Sequence, residues 1–201
     1  MSLYDVIAAS HGGRCIALLA QRFRIGEENA GVVLHDLLKL LSSALDEAIG
    51  QPETLKGLLG ELGQGPFGNV LTHAGTFNDA KLRDHGQRLL FRIMPGAAVT
   101  NDRLREIAAA GGLTESILTR MMPIVVLLML AAIRAKAERR MRQILATRRG
   151  SRLANHVSDP YSALISVIED DEVRARRPHR GINAMQRLFV RGTARAAQTG
   201  T

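Results

Sequence analysis

The sequence predicts an all-α protein: a compact multi-helix bundle with a long central C-terminal helix and a basic, partly helical tail. Composition is the first reason, because the 201 residues include no Trp, two Tyr and five Phe, and Leu, Ala and Met, all good helix formers, dominate the apolar residues. The second reason is that these residues recur every three or four positions, which is the period of a helix. The third is that glycine and proline separate the periodic segments.

Three helical patterns occupy the N-terminal quarter. Residues 2–10, SLYDVIAAS, form a short amphipathic pattern that is followed by a glycine pair at 12–13. Residues 14–23 place their apolar side chains on one face at helical spacing, and residues 27–49 extend such a face over several turns. Pro52 follows the third pattern, where a helix is expected to have ended.

The middle of the chain predicts one leucine-rich helix and two polar ones. Leucines at helical spacing predict a short helix over residues 55–62, and a glycine-rich loop is expected from there to residue 79. The segment 80–94 predicts the next helix, which a Pro-Gly pair ends. Residues 101–110 predict another, which the Gly pair at 111–112 ends.

The longest predicted helix starts near Glu115. Its residues 121–133 carry no charge. Thirteen helical residues span about 20 Å, whereas the hydrocarbon core of a bilayer is about 30 Å thick. We therefore expect a central helix of the bundle and no transmembrane segment.

Two parts of the chain share a pattern at an offset of 88 residues. Segments 16–45 and 104–133 each consist of a short helix, a tight turn and a long apolar helix, although their identity is low. An ancient duplication and a recurrent helical hairpin explain this equally well, because both satisfy the same packing rules.

Positive charge is concentrated in the last third of the chain. Residues 1–133 contain 12 basic and 13 acidic side chains, net −1, whereas residues 134–201 contain 15 basic and 6 acidic, net +9. A near-neutral folded body with a basic appendage is the usual meaning of such asymmetry. The predicted organisation is a bundle domain over 1–148 and a basic tail with short helices over 149–201.

The candidate site for an anionic partner lies where the long helix becomes basic. A solvated face whose arginine stems cover apolar surface is the simplest interpretation. The functional alternatives are binding to nucleic-acid phosphates, to an anionic membrane surface or to an acidic partner helix. The eight basic residues concerned are Arg134, Lys136, Arg139, Arg140, Arg142, Arg148, Arg149 and Arg152.

Patterns that would indicate an enzyme or a cofactor are weak. Residues 63–68 spell GxGxxG, but a leucine helix precedes them where the dinucleotide fingerprint needs a strand. The six histidines show neither HExxH nor i, i+4 pairing, and Cys15 sits in an apolar helical pattern typical of a buried thiol. We expect no catalytic residues, no metal and no cofactor.

Several of these segments together resemble a known family. The N-terminal SLYDVIAASHGG, Gly86 and Leu89 before the Pro-Gly break, the 108–113 turn, and Met122-Pro123 with the aliphatic run after it resemble the YidB-like family of bacterial proteins, a domain of unknown function. The resemblance covers about residues 1–135. It implies a compact all-helical bundle and no activity, and the basic extension departs from the family's usual short ending.

The expected function is a non-enzymatic helical interaction or self-association module. The alternatives are non-specific nucleic-acid binding, or peripheral binding to an anionic membrane, through the arginine-rich arm. The scarcity of aromatic side chains argues against stacking on single strands. The N-terminus lacks a basic region followed by a long apolar one, so the expected location is cytoplasmic.

Overall fold

The computed structural model describes residues 2–95 and 101–147, with Ala74, Asn101 and residues 140–147 described in backbone only. Within them there is no strand, which confirms the predicted all-α class. Two short 3-10 helices, Pro66–Asn69 and Ala74–Asn78, lie between the fifth and sixth α-helices. The α-helical elements of the described residues are α1 (Leu3–Ala8), α2 (Ser10–Gly13), α3 (Cys15–Phe23), α4 (Glu27–Ala48), α5 (Pro52–Gln64), α6 (Ala80–Ile93), α7 (Asn101–Ala110) and α8 (Glu115–Thr147). The four-residue α2 is a turn, because its His11 and Gly12 have left-handed backbone angles.

The chain divides into two compact units. Of the described residues, unit 1 contains 2–45, 66–95 and 101–134, and unit 2 contains 46–65 and 135–147. The domain boundary predicted at 148/149 lies outside the described residues. The same holds for the predicted tail helices.

The core of unit 1 contains the apolar face of α4 and the first half of α8. The α4 positions that the sequence assigns to the core are all buried: Val33, Leu34, Leu37, Leu38, Leu41 and Leu45. In α8 every residue from Met121 to Ala132 is buried, so this segment is covered on all sides, as predicted for a central helix. The hydroxyl of Ser42 on α4 donates to the sulfur of Met129 on α8 at 3.9 Å.

One helix within the described residues is long and apolar enough to cross a membrane. It covers Glu115–Arg139, and its most apolar window of 18 residues has a mean hydropathy of 2.2. Of its most apolar window, 72% is buried inside the protein. The core helix of a soluble protein has the same length and composition, so this property by itself does not assign a location.

Helices α6 and α8 approach each other at a glycine. A Cβ atom on Gly86 would overlap the backbone carbonyl of Pro123 and would lie 3.1 Å from Cδ1 of Leu127. On the same face of α6, Leu89 and Ile93 are buried. The missing side chain therefore allows α6 to rest on the backbone of α8.

The two segments that share a sequence pattern also share a turn. Arg24 after α3 and Gly112 after α7 are both left-handed, with φ of 57° and 61°. The amide of Ile25 donates to the carbonyl of Ala20 at 3.0 Å, and that of Leu113 donates to Ala108 at 2.8 Å. These bonds, again offset by 88 residues, satisfy carbonyls that the helix end would leave without a donor.

The stretch 66–78, predicted to be a loop, contains the two 3-10 helices and packs onto the N-terminal helices. Leu71 accepts a hydrogen bond from the amide of His11 at 2.9 Å. The carbonyl of Phe77 accepts one from Nε of Arg22 at 3.1 Å. Phe67 is buried as well, so the stretch belongs to the core of unit 1.

In unit 2, α5 is the predicted leucine helix, extended at both ends. Pro52 occupies its first turn, where the missing amide hydrogen costs nothing. Its buried residues are Leu55, Leu58, Leu59 and Leu62. The part of α8 in this unit continues as helix to Thr147.

Candidate functional site

An open groove of about 690 Å³ lies on the surface of unit 1, between α1, the α2–α3 region and α4. Tyr4 of α1 and His35 of α4 mark one end, where their rings meet edge to face with centroids 5.8 Å apart. Glu27 and Glu28 line the groove eight and seven residues before His35 on α4. Eight helical residues rise about 12 Å, so this wall of the groove spans little more than two helical turns.

The lining of the groove includes small and aliphatic residues. Ile16 and Ala17 of α3 and Gly31 and Val32 of α4 are among them. A Cβ atom on Gly31 would lie 3.4 Å from the hydroxyl of Tyr4, an ordinary contact distance. Val32 is 41% exposed, so it presents a large aliphatic side chain to solvent.

The rim of the groove is acidic. Among the described residues, the carboxylates of Glu27 and Glu28 have no hydrogen bond and no ion pair. Asp36, one residue beyond the groove, differs, since Nδ1 of His35 lies 3.2 Å away and Nζ of Lys39 lies 3.7 Å away. The groove therefore combines exposed apolar surface with two carboxylates in the first turn of α4, where the helix dipole stabilises negative charge. A segment that is partly apolar and carries a cation is complementary to this surface.

The predicted basic site is only partly described. Arg134 is half-buried, while Lys136 and Arg139 are exposed. Arg140 and Arg142 lie on the helical backbone of α8. Because neighbouring helix positions are about 100° apart, these five positions spread over about 240° of the circumference.

The other three predicted cations, Arg148, Arg149 and Arg152, lie outside the described residues. The five described positions, Arg134, Lys136, Arg139, Arg140 and Arg142, therefore surround most of α8, and we call them the collar. They do not form a narrow stripe on one face, because a stripe would need basic residues at intervals of three or four throughout.

A second polar cluster surrounds the turn at His11. The hydroxyl of Ser10 lies 2.6 Å from the carbonyl of Ile7, to which it donates, and 2.9 Å from Nδ1 of His11. Since this hydroxyl has a single hydrogen, Nδ1 must donate to it. His11 is thereby prevented from acting as a base toward Ser10, and the cluster has the hydrogen bonding of a structural turn.

Burial changes the titration of this cluster. It raises the pKa of the Cys15 thiol, with the Ser10 hydroxyl acting in the opposite direction, and Cys15 is fully buried as the sequence predicts. Burial also lowers the pKa of His11; the backbone of His73 opposes this and the charge of the His73 ring adds to it. Nε2 of His11 is buried without a hydrogen bond of good geometry.

Two small-ligand patterns can now be placed. The GxGxxG run begins at the end of helix α5 and continues into the 3-10 helix Pro66–Asn69, so its surroundings lack the strand and the long helix of a dinucleotide site. Within the described ranges, no three His, Cys, Asp or Glu side chains are grouped so as to hold a metal ion.

Sequence reasoning did not find the groove. Its lining includes Val32, an apolar residue that falls outside the core face of α4. Exposed apolar residues are common on protein surfaces. The position of Val32 near the acidic first turn of α4 was the sequence feature that could have indicated the groove. The other wall residues come from α1 and α3, which only the fold brings beside α4.

The described residues define an all-α protein whose unit 1 has a groove lined by aliphatic residues and by Glu27 and Glu28, and whose helix α8 carries basic residues from Arg134 onward. Comparisons with protein-family models, curated proteins and solved structures find no match to this chain.

Proposed function

We propose that this protein is a non-enzymatic, cytoplasmic self-association module whose contact surface is the groove between α1, α3 and α4. One observation carries the proposal: exposed Val32 lines the groove together with Glu27 and Glu28, whose carboxylates have no hydrogen bond or ion pair within the described residues. A helix laid into such a groove removes apolar surface from water and can place a cation beside these carboxylates. The YidB-like resemblance is compatible with this proposal, since it implies a bundle without catalytic residues.

The test uses the two large apolar side chains that are well exposed in the described residues. Val32 lies in the groove, whereas Phe91, 68% exposed on α6, does not line it. Light scattering after size exclusion, over about a hundredfold concentration range, should show association of the full chain by mass action. Val32→Asp should shift the protein toward monomer, and Phe91→Asp is the matched control.

Association that both substitutions weaken equally would contradict the groove as the contact. A protein that stays monomeric at every concentration would contradict self-association itself. Far-UV circular dichroism of each variant verifies that the helices are retained.

A second candidate function is backbone binding to nucleic acid by the collar on α8. The observation that favours it is the exposure of Lys136 and Arg139 on the same continuous helix as Arg140 and Arg142. The test replaces Arg139, Arg140 and Arg142 with Gln in one variant. For duplex DNA, the slope of log affinity against log salt concentration should become less steep by about three.

The matched control neutralises three cations of α6, Lys81, Arg83 and Arg88. Fluorescence anisotropy of a labelled duplex measures both variants. Equal losses from the two triple variants would show general charge attraction and would contradict a site on the collar.

A further inference from the structure

Helix α6 presents an exposed aromatic ring on the face opposite to the one that packs on α8. Gly86, Leu89 and Ile93 are buried on the inner face. Successive helical residues turn by about 100°, so Phe91 lies about 140–160° around the helix from all three. Phe91 is 68% exposed, more than any other large hydrophobic side chain in the described residues. The side of α6 that faces away from the core is therefore partly apolar.

Basic side chains flank Phe91 in both directions around the helix. Arg83 lies about 80° from Phe91 in one direction. Three more cations lie about 60–100° from it in the other direction, namely Lys81, Arg88 and Arg92. All four are exposed, and within the described residues the side chains of Lys81 and Arg83 have no hydrogen bond and no ion pair. We call Phe91 and these four cations the outer face of α6.

The charge of α6 differs from that of the rest of the folded body. Residues 80–93 contain four basic side chains and one acidic side chain, net +3. The other residues up to 133 contain eight basic and twelve acidic side chains, net −4. A local positive surface on an otherwise acidic body is complementary to an anionic partner.

The exposed ring discriminates among anionic partners. Duplex DNA attracts the cations, but its bases are already stacked and give Phe91 no contact. A single strand is bound by several aromatic rings in succession, whereas Phe91 is the only Phe or Tyr in the exposed class within the described residues. An anionic membrane uses both features, because an aromatic ring enters the interface while arginine and lysine reach the lipid phosphates on flexible stems.

We propose that the outer face of α6 binds the surface of an anionic membrane, with Phe91 in the interface and the four cations beside lipid phosphates. Asp84 opposes this binding. It is exposed, and it lies only about 20° around the helix from Phe91 and about 10 Å before it along the axis. The binding is peripheral and does not depend on self-association.

Because the chain contains no tryptophan, a single indole at position 91 reports on the site directly. Full-length Phe91→Trp is mixed with vesicles of phosphatidylcholine that contain about 30% phosphatidylserine, the anionic lipid of many membrane surfaces. The emission should shift to shorter wavelength as the ring leaves water. Duplex DNA and polyglutamate should cause no such shift. An unshifted emission from vesicle-bound protein, or an equal shift with polyglutamate, would overturn the proposal.

Co-sedimentation with the same vesicles measures the affinity of each variant. Phe91→Ala removes buried apolar surface and should weaken binding about fivefold at low and at high salt. Lys81→Gln with Arg88→Gln should weaken it at least about tenfold at low salt, and less as salt screens the charges. Asp84→Asn should strengthen binding about threefold. A gain of affinity is a result that a damaged fold does not produce.

The matched control is Lys39→Gln with Arg103→Gln. It removes the same charge from exposed side chains on α4 and α7, which are 69% and 71% exposed, and should change the vesicle affinity by less than about twofold. Residues 134–201 carry a net charge of +9 in every variant, so only the differences between variants report on α6. Equal weakening by the two double variants would show general charge attraction and would overturn the site.

The outcomes separate this inference from the proposed function. Wild-type protein that does not bind anionic vesicles, or whose binding Phe91→Ala leaves unchanged, overturns the membrane site, and the self-association then stands or falls on its own test. A protein that is monomeric at every concentration contradicts self-association and leaves the membrane site intact.

Discussion

Gly86 lies directly against the backbone carbonyl of Pro123, and there is no room between them for a Cβ atom. The contact joins α6 to the buried segment of α8, in which every residue from 121 to 132 is covered. Backbone reaches backbone here only because glycine has no side chain.

The closeness of this contact predicts that Gly86→Ala is destabilising. Although alanine favours a helix, its methyl group must displace the backbone of α8, and overpacking of this kind costs about 1–3 kcal/mol of the free energy of unfolding. Gly60→Ala in α5 is the matched control, because no other atom lies within 4 Å of its Cβ position, and it should gain about 0.5–1 kcal/mol. Urea unfolding followed by circular dichroism measures both. A stabilising Gly86→Ala would show that the helices can separate without cost.

The shared turn predicts opposite effects at its two equivalent positions. Arg24 has a left-handed φ of 57°, which costs a non-glycine residue about 1 kcal/mol, so Arg24→Gly should be stabilising by about that amount. Gly112→Ala should cost about 1 kcal/mol for the same reason. Its Cβ would meet only Nδ2 of Asn29 at 3.7 Å, so steric overlap plays little part. Thermal unfolding of the two variants should shift the Tm in opposite directions, and shifts of the same sign would refute the common geometry.

The capping hydrogen bonds at the N-terminus of α6 predict how much stability is lost when the cap is removed. The carboxylate of Asp79 accepts hydrogen bonds from the amides of Lys81 and Leu82 at 2.8 and 3.3 Å. Asp79→Ala leaves these amides without that acceptor and should cost about 1 kcal/mol of the free energy of unfolding. Asp79→Asn keeps an acceptor oxygen and should cost much less. Chemical unfolding compares the two, and equal losses would mean that charge, rather than capping, is what matters.

The burial of His11 predicts that this residue contributes to the loss of folding stability in acid. Burial lowers the pKa of His11 below its ordinary value of 6.5, so the folded protein binds this proton less readily than the unfolded chain does. The stability contributed by neutral His11 is complete above pH 6.5 and is lost as the pH falls below it toward the folded-state pKa.

His11→Asn removes this titration and suits the left-handed backbone, because asparagine tolerates φ of 55° well. The free energy of unfolding of the wild type should fall more steeply than that of the variant between about pH 6.5 and 5, by at most about 1.4 kcal/mol per pH unit. Urea unfolding at several pH values measures the difference. Parallel profiles would contradict a role for His11.

Much of the fold could be predicted because helices are encoded over short distances. The apolar period of α4 identified its core face, and the uncharged run of α8 identified the central helix. The stretch 66–78 was harder, since its glycines indicate a loop, while Phe67 and Phe77 are buried by helices distant in sequence. For the basic site, the distribution of charge along the sequence identified the residues, but it did not show how they are arranged around α8.

The sequence by itself determined that the described residues are helical, which face of α4 is buried, and that positive charge gathers after residue 133. Only the tertiary structure decided that Tyr4 meets His35, that Gly86 meets Pro123, and that Val32 lines a groove. The physical reason is one of range. Helical period and caps depend on residues three or four positions apart, whereas a groove requires the packing of helices whose residues are tens of positions apart.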